Sequence, residues 1–361
     1  MSKEILMKTL EDLTQIYGVS GQEQYVSRYL KNEYLKYTDE IIYDNLGSIF
    51  AVKRSKKKNA KKVMIAGHMD EVGFIVKTIT KTGCLTLHPI GGWWSQTLLG
   101  QRVAVINSKG EVFKGAIGSI PPHSLTDADR AKPMEIKNML VDIGAKDKEE
   151  VEKLSIRPGD MIVLEGDFQI LANGNRLLAK AFDNRYGCAM GLALLEAFKD
   201  VELDVDLYVG ATVQEETGLR GAQTAASMID PDLAIVFDCS PANDASGDDT
   251  AFGQLGKGLL IRFVDANYLP NRCLLDALID VCNSESLPYQ YYVSMGGTDA
   301  GAIHKNSDGV VTLTMCICAR NIHTNSSIID LNDLNVAYQA ALKFVGGLND
   351  EQISAMILCN Q

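Results

Sequence analysis

The sequence predicts an α/β protein in which a mixed, mostly parallel sheet is flanked by helices and interrupted by a small inserted β-barrel-like unit. Three observations carry this. From about residue 170 onward, apolar strands alternate with helical stretches, the rhythm of a parallel sheet covered by helices. Residues 1–72 share that texture. Between them, from about Gly73 to Gln169, short alternating strands are punctuated by the turns TKTG, NSKGE, SIPPH and RPGD, and helical signal is confined to Lys146–Leu154. That pattern suits a compact barrel.

The elements follow in order. Ile5, Leu6, Leu10, Leu13 and Ile16 recur at helical spacing and Gly18 stands at the C-terminal stop, so the chain opens with a folded helix rather than a signal peptide. A second helix covers about Gln22 to Lys36. IIYDNLGSIFAVKR reads as two strands about a turn at Asn45-Leu46-Gly47, and KKVMIAGHMD as a buried strand running into polar residues. Seven of the ten residues from Lys53 to Lys62 are basic, and a solvated loop between strands accounts for them better than a polyanion site does. After Asn173 come a helix in NRYGCAMGLALLEAFKD, a strand in LDVDLYVGATVQ, a helix with LRGAQTAASM and a strand in LAIVFDCS. A helix around Arg272–Ser284, a helix start after TDAGAIH, a strand in VVTLTMCICAR and a terminal helix in LNDLNVAYQAALKFVGGL complete the chain. Residues 1–72 and 170–361 therefore form one α/β domain, and 73–169 an inserted β domain.

Composition excludes several classes. The 361 residues carry a formal charge of −11, which opposes general nucleic-acid binding. With 46% apolar and 22% charged residues the chain is globular rather than disordered. No uninterrupted apolar run of about 18 residues marks a membrane span. The eight cysteines form no CxxC pair and no short-loop framework, and a reducing cytoplasm fits them best.

In open α/β sheets the ligand crevice lies beyond the carboxyl ends of the strands. Metal-ligand residue types stand at those ends here. VMIAG runs into His68 and Asp70, LYVGATVQ into Glu215 and Glu216, LAIVF into Asp238 and TLTMCICARNI into His323, while Asp183 stands at a helix start. Three carboxylates and two imidazoles suffice for two neighbouring divalent ions if one carboxylate bridges them, and mixed nitrogen and oxygen ligation suits zinc, cobalt or manganese. Asp70, two residues beyond His68, is placed to fix the other ring nitrogen of that imidazole. Of the adjacent Glu215 and Glu216, one carboxylate can bind metal while its neighbour serves as general base.

The runs GHMDEVGF, AKAFDNRYG, VQEETGLRGA, VFDCSPA, GGTDAGAIH and ARNIHT, in this order and spacing, resemble the M42 metallo-aminopeptidases, with the glutamyl aminopeptidase branch nearest. The similarity extends from the GVSGQE turn at Gly18 to the terminal helix. It implies a zinc-peptidase type α/β domain holding two metal ions, with the inserted domain serving oligomerisation or as a lid, and a hollow homododecamer. It makes Asp183 the bridging ligand, gives one ion His68 and Asp238 and the other Glu216 and His323, and makes Glu215 the base and Asp70 the acid that orients a ligand. The segment RNIHT departs from the family, which commonly has an aromatic residue two before the histidine and a serine after it; this bears on the pocket lining only. The implied reaction is metal-dependent removal of N-terminal residues, Glu or Asp foremost, from peptides.

A pocket for an acidic side chain needs a cation, and the candidates are Arg262, Lys257 and Arg320. Arg262 ranks first, because a charge inside the apolar strand LLIRFVD demands a partner. His88, His123 and His304 lack ligand spacing, with some allowance for His123 because its PPH loop could overhang a cleft. Thr298 or Asp299 reads as a helix cap, Trp93-Trp94 as packing, and the acidic stretch Asp244–Asp249 as a solvated loop. Two alternatives compete with the peptidase reading. A metal-free glycosidase with Trp93-Trp94 as platform, a label some M42-like chains carry as endoglucanases, leaves His68 and His323 without a purpose. A non-catalytic assembly or binding protein would have no need of the full ligand set.

Overall fold

The computed structural model describes residues 3–359 and 361. In chain order the strands are β1 (Ile41–Tyr43), β2 (Ile49–Lys53), β3 (Lys62–His68), β4 (Gly73–Ile79), β5 (Leu85–Ile90), β6 (Arg102–Ile106), β7 (Val112–Ile117), β8 (Leu140–Asp142) and β9 (Met161–Leu164). They continue with β10 (Gln169–Ile170), β11 (Arg176–Ala179), β12 (Asp206–Thr212), β13 (Leu233–Pro241), β14 (Leu259–Val264), β15 (Tyr289–Val293), β16 (Val311–Ala319) and β17 (Ser327–Asp330).

Eight strands build the main sheet in the order β1-β2-β12-β3-β13-β16-β14-β15. Its centre, β12-β3-β13-β16, is parallel, with Leu207, Val63, Leu233 and Val311 in register across it. Antiparallel pairs flank that centre, β2 against β12 and β14 against β16. Side chains alternate faces along each strand, so the sheet has two cores. Ile49, Ala51, Val63, Ile65, Ile235 and Leu313 pack under the long helices Lys3–Gln15, Phe182–Phe198 and Leu331–Gly346. Phe50, Val52, Met64, Ala66 and Val236 face the helix Arg220–Ile229 on the other side. Burial on both faces is why these strands read as unbroken apolar runs.

The strands β4-β5-β8-β7-β6-β9 close into an antiparallel barrel around Phe74, Leu87, Val103, Val105, Val141 and Ile162. It lies in sequence between β3, which ends at His68, and β10. A short helix, Lys148–Lys153, capped by the Asp147 side chain, occupies the one stretch of this region with helical signal. A small sheet, β10-β11-β17, completes the fold.

Some local expectations give way. The helix expected to start after TDAGAIH is instead the four-residue turn Ala300–Ile303 inside that motif, and Asp299 makes no side-chain cap bond to it. The long C-terminal helix is followed by another, Asp350–Leu358. A disulfide joins Cys273 to Cys359 across 86 residues, with Cα atoms 6.3 Å apart, a pairing that no local spacing signals and that departs from the fully reduced cysteines expected of a reducing cytoplasm. Among the described residues no helix is long and apolar enough to cross a membrane.

Candidate active site

The carboxyl ends of β3, β12 and β13, the start of the helix Phe182–Phe198 and the loop after β16 converge on one cleft of about 610 Å³, lined by His68, Asp183, Glu215, Glu216, Asp238 and His323 among others. Close backbone packing puts the helix there. A Cβ on Gly67, next to His68, would lie 2.6 Å from the Cα of Gly187, so only glycine lets strand and helix approach this closely. Before Asp183 the chain passes through Ala181 in the left-handed region, and Asp183 and Asn184 are themselves non-helical. Asn184 secures the turn by donating to the Phe237 carbonyl at 2.7 Å, next to Asp238.

Asp183 is the centre of the cluster. Its Oδ1 lies 3.0 Å from His68 Nε2 and its Oδ2 lies 3.4 Å from His323 Nε2. Glu216 Oε1 is 3.4 Å from His323 Nε2, while Asp238 Oδ1 and Glu215 Oε2 are each 3.9 Å from His68 Nε2. His68 directs Nδ1 at the Asp70 carbonyl at 3.0 Å, and His323 directs Nδ1 at the Gly92 carbonyl at 2.9 Å. Each ring in its neutral form thereby donates through Nδ1 and leaves Nε2 as a ligand atom.

The residues fit divalent ions. Asp183 Oδ1 and Glu216 Oε1 are buried and make no hydrogen bond despite the nearby imidazoles. Ligand atoms of His68, Asp183 and Glu216, and likewise of His68, Glu215 and Asp238, lie within 4.8 Å of one another. His68 belongs to both clusters, and His323 joins the constellation through its 3.4 Å approaches to Asp183 and Glu216. Burial, reinforced by neighbouring carboxylates, pushes Glu215 and Asp238 well above the usual acid range and Glu216 up to about 7. Burial disfavours charge on the imidazoles too, but the carboxylates outweigh it, holding His68 well above its usual value and His323 up at about 9. A site with this excess of buried carboxylate is neutralised by cations, either protons or metal.

Asp70 differs from the expectation in one respect. The nearest acceptor for His68 Nδ1 is its main-chain carbonyl, with its carboxylate oxygen farther at 3.5 Å. Instead the carboxylate accepts the amides of Glu215 and Glu216 at 3.0 and 3.1 Å and the Ser20 hydroxyl at 2.5 Å. Asp299, expected as a cap, is buried and takes the Thr212 hydroxyl, leaving its Oδ1 without a partner.

Among the three candidate cations, only Arg262 lines the cleft. It is 3% exposed, donates to Ser240 Oγ at 2.8 Å and to Asp265 at 3.3 Å, and keeps Nε without a partner. Arg320 makes a two-pronged pair with Asp244 at 2.6 and 2.8 Å, which also shows that the acidic loop is anchored at Asp244. Lys257 is exposed. Neither lines the cleft. His88 and His123 are exposed, and His304 turns Nδ1 to the Ala300 carbonyl at 2.7 Å. Trp93 stacks on Phe74 with centroids 4.9 Å apart, whereas Trp94 is 65% exposed.

Sequence reasoning missed a buried cluster behind the site. Lys180 binds both Glu71 oxygens at 2.8 Å, and Arg185, fully buried, reaches the Met69 carbonyl at 2.7 Å and the Ile16 carbonyl at 2.8 Å. All three residues sit inside the motifs quoted above, beside His68, Asp70 and Asp183.

A family model described as M42 glutamyl aminopeptidase matches residues 47–339. The chain belongs to the M42 peptidase family. It is 37% identical over 350 residues to the glutamyl aminopeptidase of Lactococcus lactis subsp. cremoris, covering 97% of this chain and 98% of that protein. It is 34% identical to the lysyl aminopeptidase of Pyrococcus furiosus, covering 92% and 93%. The crystal structure of a TET aminopeptidase from a marine-sediment Thaumarchaeota archaeon superposes with a TM-score of 0.93 at 37% identity, covering 98% of this chain and 99% of that one. A TET1 peptidase of Pyrococcus horikoshii, described as able to assemble into a tetrahedron or a large octahedral shell, superposes at 0.84 with 29% identity over 95% and 100% of the two chains. M42 aminopeptidases are metal-dependent, and the cluster around Asp183 is where this member could hold metal.

Proposed function

We propose that this M42 chain is a two-metal aminopeptidase that removes N-terminal Glu or Asp from peptides. The observation that carries the metal assignment is the division of Asp183, one oxygen toward His68 and the other toward His323. In this reading Asp183 bridges, His68 and Asp238 hold one ion, and Glu216 and His323 hold the other. Zinc or cobalt suits the donor set, and manganese is compatible with it. When bound, the ions supply Lewis acidity at the scissile carbonyl and acidify the attacking water.

The chain's own residues do the rest. Glu215 is poised at the cleft as general base: it takes the proton from the attacking water and delivers it to the leaving amine. Asp70 holds the turn carrying Glu215. The carboxylates left around the site attract the substrate's free α-ammonium, favouring exopeptidase action. Arg262 is the cation for an acidic first side chain, supported by its place in the cleft wall and its unpartnered Nε.

In this reading residues 1–72 and 170–361 are the catalytic domain, and 73–169 serve assembly or cover the cleft. A homododecamer in the cytoplasm, acting on peptides and on neither nucleic acid nor membrane, completes the proposal; similarity to a shell-forming peptidase supports the assembly. The test is to measure bound metal and assay Glu-, Asp- and Leu-p-nitroanilide with and without chelator. Chelator-sensitive cleavage with Glu and Asp preferred supports the reading. Equal rates on all three would make it a broad-specificity aminopeptidase, and chelator-insensitive carbohydrate cleavage would reject it.

A further inference from the structure

The GVSGQE turn has no part in the chemistry above, yet it is tied to the segment that carries Glu215. Val19 forms a bridge to Glu71, Ser20 donates to Asp70 Oδ2 at 2.5 Å, and the Gln22 side chain donates to the Gly159 carbonyl in the barrel region at 2.8 Å. Glu23 goes furthest. It is 5% exposed, and its Oε1 accepts the amide of Gly21 at 2.8 Å and the amide of Gln214 at 2.9 Å.

Gln214 is the residue on which the Glu215 turn pivots. Its φ is +56°, a left-handed conformation a non-glycine residue keeps only where its surroundings enforce it. The next two amides, of Glu215 and Glu216, go to Asp70. Three successive N–H groups are thus held by two buried carboxylates from distant parts of the chain. Asp70 accepts two of them and Glu23 the first. Glu23 does not line the cleft, so any effect it has on the reaction passes through the backbone it holds.

We propose that Glu23 is a positioning residue for the general base: by accepting the Gln214 amide it fixes the left-handed turn that aims Glu215. The proposal rests on the assignment of Glu215 as base. Misplacement of a reacting group by about 1 Å can cost on the order of 100-fold in rate, which sets the scale.

The test compares Glu23→Ala, Glu23→Gln, Glu215→Gln and Glu215→Gln/Glu23→Ala, each metal-loaded, by kcat and KM for Glu-p-nitroanilide, metal content and thermal melting. Glu23→Ala is expected to lower kcat by about 10- to 100-fold, with KM changed less than about threefold and metal content retained. Glu23→Gln keeps an acceptor oxygen and is expected to restore kcat to within about threefold of the parent. In the Glu215→Gln background the alanine is expected to cost less than about twofold, because residues acting as one unit are not additive. Should Glu23→Ala lose the fold, Glu23→Met fills the space without an acceptor and is read the same way. Parental kcat in the alanine or methionine variant, or an undiminished cost in the Glu215→Gln background, overturns the proposal while leaving the base assignment standing. Near-parental turnover in Glu215→Gln alone overturns both.

Discussion

Asp70 accepts the amide of Glu215 on one carboxylate oxygen at 3.0 Å and presents its main-chain carbonyl to His68 Nδ1 at 3.0 Å. One residue therefore sets both a candidate ligand and the candidate base. Its carboxyl is held below the usual range; burial works against this, but His68, Ser20 and the Glu215 amide outweigh burial.

This division of labour predicts the outcome of Asp70→Asn. The amide keeps one acceptor oxygen, turns an NH2 toward the other turn amide, and leaves the main-chain contact with His68 untouched. A fall in kcat of roughly 10- to 100-fold with metal content retained is expected, on the scale that a misplaced reacting group costs. Loss of metal with little change in the kcat of the reloaded enzyme would show that Asp70 serves the ligand rather than the turn.

Glu215→Gln removes the proton acceptor while preserving shape. Turnover is expected to drop by several orders of magnitude with metal retained. A loss of metal comparable to that in Glu216→Gln would instead make Glu215 a ligand, which its 3.9 Å approach to His68 Nε2 makes worth measuring.

Arg262→Ala carries two expectations. The ratio of kcat/KM for Glu- over Leu-p-nitroanilide should collapse toward one, and an unchanged ratio would end the specificity assignment. Asp265, buried and 3.3 Å from the guanidinium, loses its cationic partner and keeps only the Asn267 amide at 2.8 Å. Breaking such a pair costs about 3–5 kcal/mol, so the melting temperature should fall as well. The two effects separate in Arg262→Lys, where a cation remains without the planar fork.

How much of this was legible in the sequence follows from the kind of information each residue carries. His68, Glu215, Glu216, Asp238 and His323 announce themselves because apolar strands run into metal-binding residue types, Asp183 stands out at a helix start, and the structure gathers all six around one cleft. The parallel sheet and the barrel are readable for the same reason, since burial on two faces or one writes a local pattern. Partners contributed from far along the chain write no such pattern. Glu23 meets Gln214 across 191 positions and Arg320 meets Asp244 across 76; only the fold shows that one holds a turn and the other has its charge already paired. The edge strand β15 and the Cys273–Cys359 link belong to this class too. Asp299 was misread because Asp before a short helix looks like a cap until Thr212 is brought beside it.

A final prediction concerns pH and lies away from the metal ligands. Asp333, fully buried in the first turn of the helix Leu331–Gly346, accepts the amides of Gly256 and Gly258 at 2.7 and 2.6 Å. Burial, aided by Asp330, pushes its carboxyl up to about 7 against the pull of those amides and Arg176. An unfolded aspartate titrates near 3.9. Between these values the folded chain keeps a proton that the unfolded chain has lost. The contribution is therefore complete below about pH 4, declines as pH rises toward 7 and is flat above it. Asp333→Asn does not titrate. The stability of the parent minus that of Asp333→Asn, from denaturant unfolding of the metal-loaded proteins between pH 4.5 and 8, should decrease across that window, since titrations common to both chains cancel in the difference. A difference independent of pH would show that the two amides hold Asp333 ionised throughout, so that its burial costs stability without coupling it to pH.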